Sequence, residues 1–231
     1  MGRGTSKAGG GNSKNVATSL LTPWGTTVDL SDNPIVYGAN DSALSGDIRN
    51  TIEEFENRVA NDDHENMLIL DKDGNVIAEI AGGQTGVTFD DKLLKHAVYV
   101  SHNHPRIESE MGDIGGTFSL KDFNNCFLYS DSVQSMSASA YEGKYRISKG
   151  NNFDKTGFAN YIHTEYAGID RRFRKDIGAL QAKINRGEIQ YSDATKIADK
   201  MLNDCLIKSH NSLMQNCKKY GVNYTLEKGG K

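Results

Sequence analysis

The run Ala97-Val98-Tyr99-Val100-Ser101, leading into His102-Asn103-His104-Pro105, constrains this chain more than any other stretch. An apolar run of that length reads as a strand, and alternation sends His102 and His104 to the same side at its C-terminal end. Pro105 restricts His104 to extended geometry. Further on, Ser119-Leu120-Lys121-Asp122 reads as a helix start over Lys121–Tyr129, with Ser119 as N-cap and Asp122 in the first turn. A carboxylate arriving there completes a set of three protein ligands, His102, His104 and Asp122. Three ligands with a fourth position left to water is the pattern of catalytic zinc; structural zinc is closed by four protein ligands. Such an ion lowers the pKa of its water from 15.7 to roughly 7, so a nucleophile is available at neutral pH.

The residues before the histidines predict alternating helix and strand. Ile48, Ile52, Phe55 and Val59 make one apolar face of a helix from about Ser45. Glu65 to Leu70 reads as a strand, Asp71-Lys72-Asp73-Gly74 as a turn, and Asn75 to Ile80 as the returning arm of a hairpin. Gly86 to Phe89 is expected as one more short strand, as is Pro34 to Gly38. Leu93 to His96 reads as loop or helical turn. Val133 to Ala140 and Glu142 to Ile147 predict a closing hairpin. This indicates an α/β (α+β) domain over residues 17–150, preceded by a Gly/Ser-rich flexible tail over 1–16.

After residue 150 the pattern changes. Ile162, Tyr166, Ile169, Phe173, Ile177, Leu180 and Ile184 recur at helical spacing along a narrow seam. Arg186-Gly187-Glu188 interrupts them, and Ser192 or Asp193 is expected to cap a second helix carrying Ala194, Ile197, Met201, Cys205, Leu213 and Cys217. Residues 151–231 thus read as a helical hairpin appendage with a short tail. Its stripe buries little alone, so the helices over 157–220 should dock on the α/β domain, in a homodimer or on an assembly partner.

The motif His102-Asn103-His104-Pro105 with Ser119-Leu120-Lys121-Asp122 resembles the JAMM motif of the MPN-domain metallopeptidases, HxHP followed by SxxD, over residues 35–148. The longer string Gly115-Gly116-Thr117-Phe118-Ser119, with Ala140 to Tyr145 after it, resembles a bacterial and phage subgroup of that family. The resemblance implies a central mixed β-sheet flanked by helices and one zinc per chain. It also implies hydrolysis of a peptide or isopeptide bond in a protein or peptide substrate, such as a ubiquitin-like or phage protein. It gives His102, His104 and Asp122 as zinc ligands and Ser119 as oxyanion helper. Glu65 becomes the general base, favoured over Glu79 on the hairpin arm. One departure is the long spacing of thirteen residues between Pro105 and Ser119, which adds Glu108, Glu110 and Asp113 as rival carboxylates. The alternative to an enzyme is a catalytically silent structural or adaptor protein of a phage-head-type assembly.

Other classes are disfavoured. A net charge of −3 gives no pull toward nucleic acid, which also weighs against a His-Asn-His nuclease. The glycine pairs lack the context of a nucleotide-binding fold. No segment has the roughly 18 apolar residues of a membrane span, and Met1 to Gly4 opens without the apolar core of a secretory signal. Three cysteines without CxxC pairing favour a reducing, cytoplasmic setting. His96, His163 and His210 show no metal spacing with one another, His64, which adjoins Glu65, reads as a surface-turn histidine, and Arg171 to Lys175 reads as a solvated face.

Overall fold

The structure, a computed structural model, describes residues 46–84, 86–105 and 116–228. The expected flexible tail, the Pro34–Gly38 strand and the rival carboxylates Glu108, Glu110 and Asp113 lie outside the described residues. Helix α1 (Gly46–Val59) buries its predicted face, Ile48, Ile52, Phe55 and Val59, against Leu68, Leu70 and Tyr99. Each such buried side chain contributes about 1.5–3 kcal/mol, so packing holds this helix more than propensity does.

Those partners lie on one face of a six-stranded sheet. Its strands are β1 (Asn66–Leu70), β2 (Val76–Ala81), β3 (Tyr99–Asn103), β4 (Ser135–Ala140), β5 (Gly143–Lys149) and β6 (Val222–Lys228). They run in the order β2-β1-β3-β4-β5-β6, antiparallel throughout except for the parallel pair β3–β4. The β1–β2 hairpin is closed by Asp71, whose carboxylate accepts the backbone N–H groups of Asp73 and Asn75. Gly74 follows at φ +85°, a conformation glycine adopts without strain.

A parallel pair needs a crossover, and the one between β3 and β4 carries the site's helix. This helix, α2 (Leu120–Asp122), widens into a π-turn over Phe123–Phe127 that buries Phe123, Cys126 and Phe127. The second face of the sheet is covered by α3 (Lys155–Tyr161), a π-turn (Ile162–Tyr166), α4 (Ala167–Asn185) and α5 (Tyr191–Asn216). Residues from both sides of position 150 share one hydrophobic core there, among them Val100, Phe123, Phe158, Phe173 and Leu213. No described helix is long and apolar enough to cross a membrane.

Several expectations need correction. Gly86 to Phe89 is not a strand: one bridge joins Gly86 to Gly83, and the chain then runs extended without a sheet partner. The Gly82-Gly83 break turns it off the edge strand β2. The segment after Gly221 is no tail but strand β6, whose Val222, Tyr224 and Leu226 alternate into the core. Helix α5 begins at Tyr191 after Gln190, not behind a Ser192 or Asp193 cap. Its buried stripe is Ala194, Ala198, Leu202, Cys205, Leu206, His210 and Leu213, so the expected Ala194, Cys205 and Leu213 are buried, whereas the expected seam residue Ile197 is 37% exposed. The first seam is as expected, with Ile162 to Leu180 buried and Ile184 packed at its edge. All three cysteines are free and buried.

Candidate metal centre

Register across the sheet decides which side chains can meet. Met67 on β1 pairs with His102 on β3, so the two share a face, and alternation puts Glu65 on that face too. His104 lies just past β3, where its N–H continues the parallel pairing by bonding the Ser139 carbonyl at 2.7 Å. Asp122 enters from the crossover. A full capping box fixes it: the Asp122 N–H bonds Ser119 Oγ at 3.0 Å, and the Ser119 N–H bonds Asp122 Oδ2 at 2.6 Å.

His102, His104 and Asp122 are the one group of three potential metal ligands among the described residues, with ligand atoms within 4.8 Å of one another. The two Nε2 atoms are 3.1 Å apart, and Asp122 Oδ2 lies 3.5 Å from that of His102 and 3.9 Å from that of His104. Ligands on a tetrahedral zinc at 2.0–2.1 Å stand roughly 3.3 Å apart. The donor set therefore fits such an ion in kind and spacing. His104 Nδ1 donates to the Gly116 carbonyl at 2.9 Å, which leaves its Nε2 lone pair directed at the other two ligands. The Nδ1 of His102 is buried near the Ser137 backbone and makes no hydrogen bond of good geometry.

The electrostatics are those of a buried cluster. Burial and the neighbouring His102 push His104 down to about 4, so its ring is neutral near pH 7. Burial would lower His102 as well, but the Asp122 and Glu65 carboxylates hold it above its ordinary value. Burial would raise Asp122, yet His102, His104 and the Ser119 amide keep it well below the usual carboxylate range. Glu65 goes the other way. Burial pushes it up to about 7, with Asp122 adding to the rise and His102 and Lys121 opposing it.

Glu65, Ser119, Asp122 and His104 line one cavity of about 230 Å³, with Met67 and Lys121 also on its wall. Its far side is the extended segment Gly86 to Phe89. The structure thus brings Glu65 to the histidines. It does not bring Glu79, which sits opposite Leu68 on the other face, 41% exposed and paired with Arg58 at 2.6 Å. Of the other histidines, His64 is half-buried beside Asp63, and His163 bonds Asn124.

Two contributors escaped the motif reading. Asn103, between the histidines, points to the other face and accepts from the Asn66 N–H at 2.6 Å. It also donates to the His64 carbonyl at 3.0 Å. Glu142, from the β4–β5 turn, accepts the Gly116 N–H at 2.7 Å. Alternation alone could have flagged Asn103; nothing local in the sequence ties Glu142 to Gly116. No protein-family model, curated protein or solved structure matches this chain significantly.

Proposed function

We propose that the protein is a zinc-dependent hydrolase of amide bonds, a metallopeptidase or isopeptidase of JAMM type on an MPN-like sheet. The observation that carries this reading is the convergence of His102, His104 and Asp122 at tetrahedral ligand spacing, with the buried carboxyl of Glu65 facing the same cavity. Zinc held by those three residues would polarise a water molecule and the scissile carbonyl. Glu65 takes the proton from the attacking water and passes it to the leaving amine. Burial raises this carboxyl above its ordinary range in the metal-free site, the direction that suits a group exchanging protons near neutral pH. Ser119 is 6% exposed, and its oxygen already accepts the Asp122 N–H. Its hydroxyl hydrogen has no acceptor among the described residues, which supports a role as donor to the oxyanion. The substrate is a peptide or isopeptide-linked protein, and a setting in the cytoplasm of a phage-infected or mobile-element-bearing cell accords with the subgroup its motif resembles.

Hydrolysis of peptide and isopeptide-linked protein substrates by the zinc-loaded protein, compared with Glu65→Gln, tests this reading. The expected result is cleavage by the wild type, loss with chelator, and a variant that retains zinc but does not turn over. Cleavage at the wild-type rate by Glu65→Gln would refute the assigned base, and a loaded wild type inert on every substrate would favour the adaptor reading.

A further inference from the structure

Residues 116–118 form a short buried segment pinned at three successive points by distant parts of the chain. The Gly116 N–H bonds Glu142 Oε1 at 2.7 Å, Thr117 Oγ1 meets the Tyr224 hydroxyl at 2.7 Å, and the Phe118 carbonyl accepts from the Tyr166 hydroxyl. The Tyr224 hydroxyl is held in turn by His210 Nδ1 at 2.9 Å. Gly116 itself faces two ways: its amide is held by Glu142, and its carbonyl accepts the Nδ1–H of His104 at 2.9 Å. Glu142 is aimed by Tyr145, whose hydroxyl donates to the same Oε1 at 2.7 Å. Position 116 would strain a side chain. Its φ of +83° is in the region glycine favours, and a Cβ there would lie 2.8 Å from Leu206 Cδ2 on α5.

We infer that Glu142 is a positioning residue for the candidate metal ligand His104, acting through Gly116: the carboxylate fixes the amide side of that residue, so the carbonyl on its other side holds the imidazole in the tautomer and direction a metal needs. This rests on the zinc reading proposed above. Metal-bound histidines are oriented by what their second nitrogen bonds, and loss of such a support typically weakens metal binding 10–100-fold. Here the acceptor is a glycine carbonyl on a chain segment with no regular hydrogen-bonded structure of its own. Its direction therefore depends on whatever anchors that residue, and the described anchor is Glu142. The arrangement also explains why the segment after position 150 matters to the site, since Leu206, Tyr224 and Tyr166 close over Gly116 to Phe118.

Zinc affinity by chelator competition, measured at a temperature where every variant is folded by circular dichroism, tests the inference. Glu142→Ala should bind zinc 10–100-fold more weakly than wild type. Glu142→Gln, whose amide oxygen can still accept from Gly116 and Tyr145, should stay within a few-fold. The cobalt-loaded Glu142→Ala protein should show a shifted visible spectrum, which a loss of stability alone would not produce. Where Glu142→Ala does not fold, Glu142→Asp, one methylene too short to reach Gly116, is measured instead with the same expected loss. In metal-free wild type, nitrogen-15 spectra should place the His104 proton on Nδ1. Wild-type zinc affinity in Glu142→Ala or Glu142→Asp, or a His104 proton on Nε2, would overturn the inference. A wild type that takes up no zinc refutes the proposed function instead, and the tautomer then decides the Gly116 contact by itself.

Discussion

The side-chain oxygen of Asn103 accepts the backbone N–H of Asn66 at 2.6 Å, and its amide donates to the carbonyls of His64 at 3.0 Å and Val59 at 3.3 Å. One residue between the two candidate ligand histidines therefore grips the chain on both sides of Glu65. Glu65 is held from the other direction by Gly82 and Gly83, through backbone bonds of 2.7 and 2.8 Å. Asn103 is 2% exposed, so Asn103→Ala leaves the Asn66 N–H buried without its acceptor, while the Val59 and His64 carbonyls keep the Asp62 N–H and Asn66 Nδ2. The expected loss is about 1–3 kcal/mol in denaturant unfolding, with a loss at least as large for Asn103→Asp, whose buried carboxylate would face the His64 and Val59 carbonyls without a donor to offer them.

On the same face of the sheet Glu56 is buried, with Lys144 Nζ at 2.8 Å, Arg146 Nη2 at 3.2 Å and the Ser137 hydroxyl at 2.9 Å. Glu56→Ala takes the carboxylate from Lys144, which is partly solvated, and from Arg146, which keeps Glu227 at 3.5 Å, so it should cost about 2–3 kcal/mol, short of the full cost of breaking a buried pair. Adding Arg146→Met should recover part of that loss. An unchanged unfolding midpoint in Glu56→Ala would show that solvent already screens the cluster.

His210 carries a pH dependence. Burial lowers it from 6.5 to about 4, so between those values the unfolded chain binds the proton and the folded chain does not. Stability then rises with pH across that window and falls as pH drops from 6.5 toward 4. His210→Gln can keep the bond to Tyr224 and cannot titrate. Between pH 6.5 and 4.5 the wild type should lose up to about 2 kcal/mol more than this variant, measured by urea unfolding at both pH values.

Ser119 has two separable duties. As N-cap of α2 it contributes about 1 kcal/mol, and as the proposed oxyanion donor it should contribute about 10²–10³ in kcat. Ser119→Ala should lose both. Ser119→Asp should restore the cap and not the rate, as read by thermal unfolding alongside turnover.

Much of this site was legible in the sequence because the signals are local. The HxHP spacing put His102 and His104 on one face, and the SxxD spacing placed Asp122 in the first turn of a capped helix. The α1 face and the first helical seam followed from period alone. What could not be read depended on long-range register. That β6 would pair with β5 was hidden because Val222 to Lys228 is short and follows a long helix. The α5 seam was legible only in part: Ala194, Cys205 and Leu213 are buried as expected, but Ala198, Leu202, Leu206 and His210 complete the stripe and Ile197 is exposed. The preference for Glu65 over Glu79 came from the motif resemblance, and the pairings Met67–His102 and Leu68–Glu79 give its physical basis by putting the two carboxyls on opposite faces.

The central claim is that His102, His104 and Asp122 hold one zinc ion. Metal analysis of protein purified without chelator, set beside His102→Ala with His104→Ala, tests it most directly. The account predicts about one zinc per wild-type chain and essentially none in the double variant, with Glu65→Gln still loaded. A wild type without metal, or a double variant that retains it, would contradict the account.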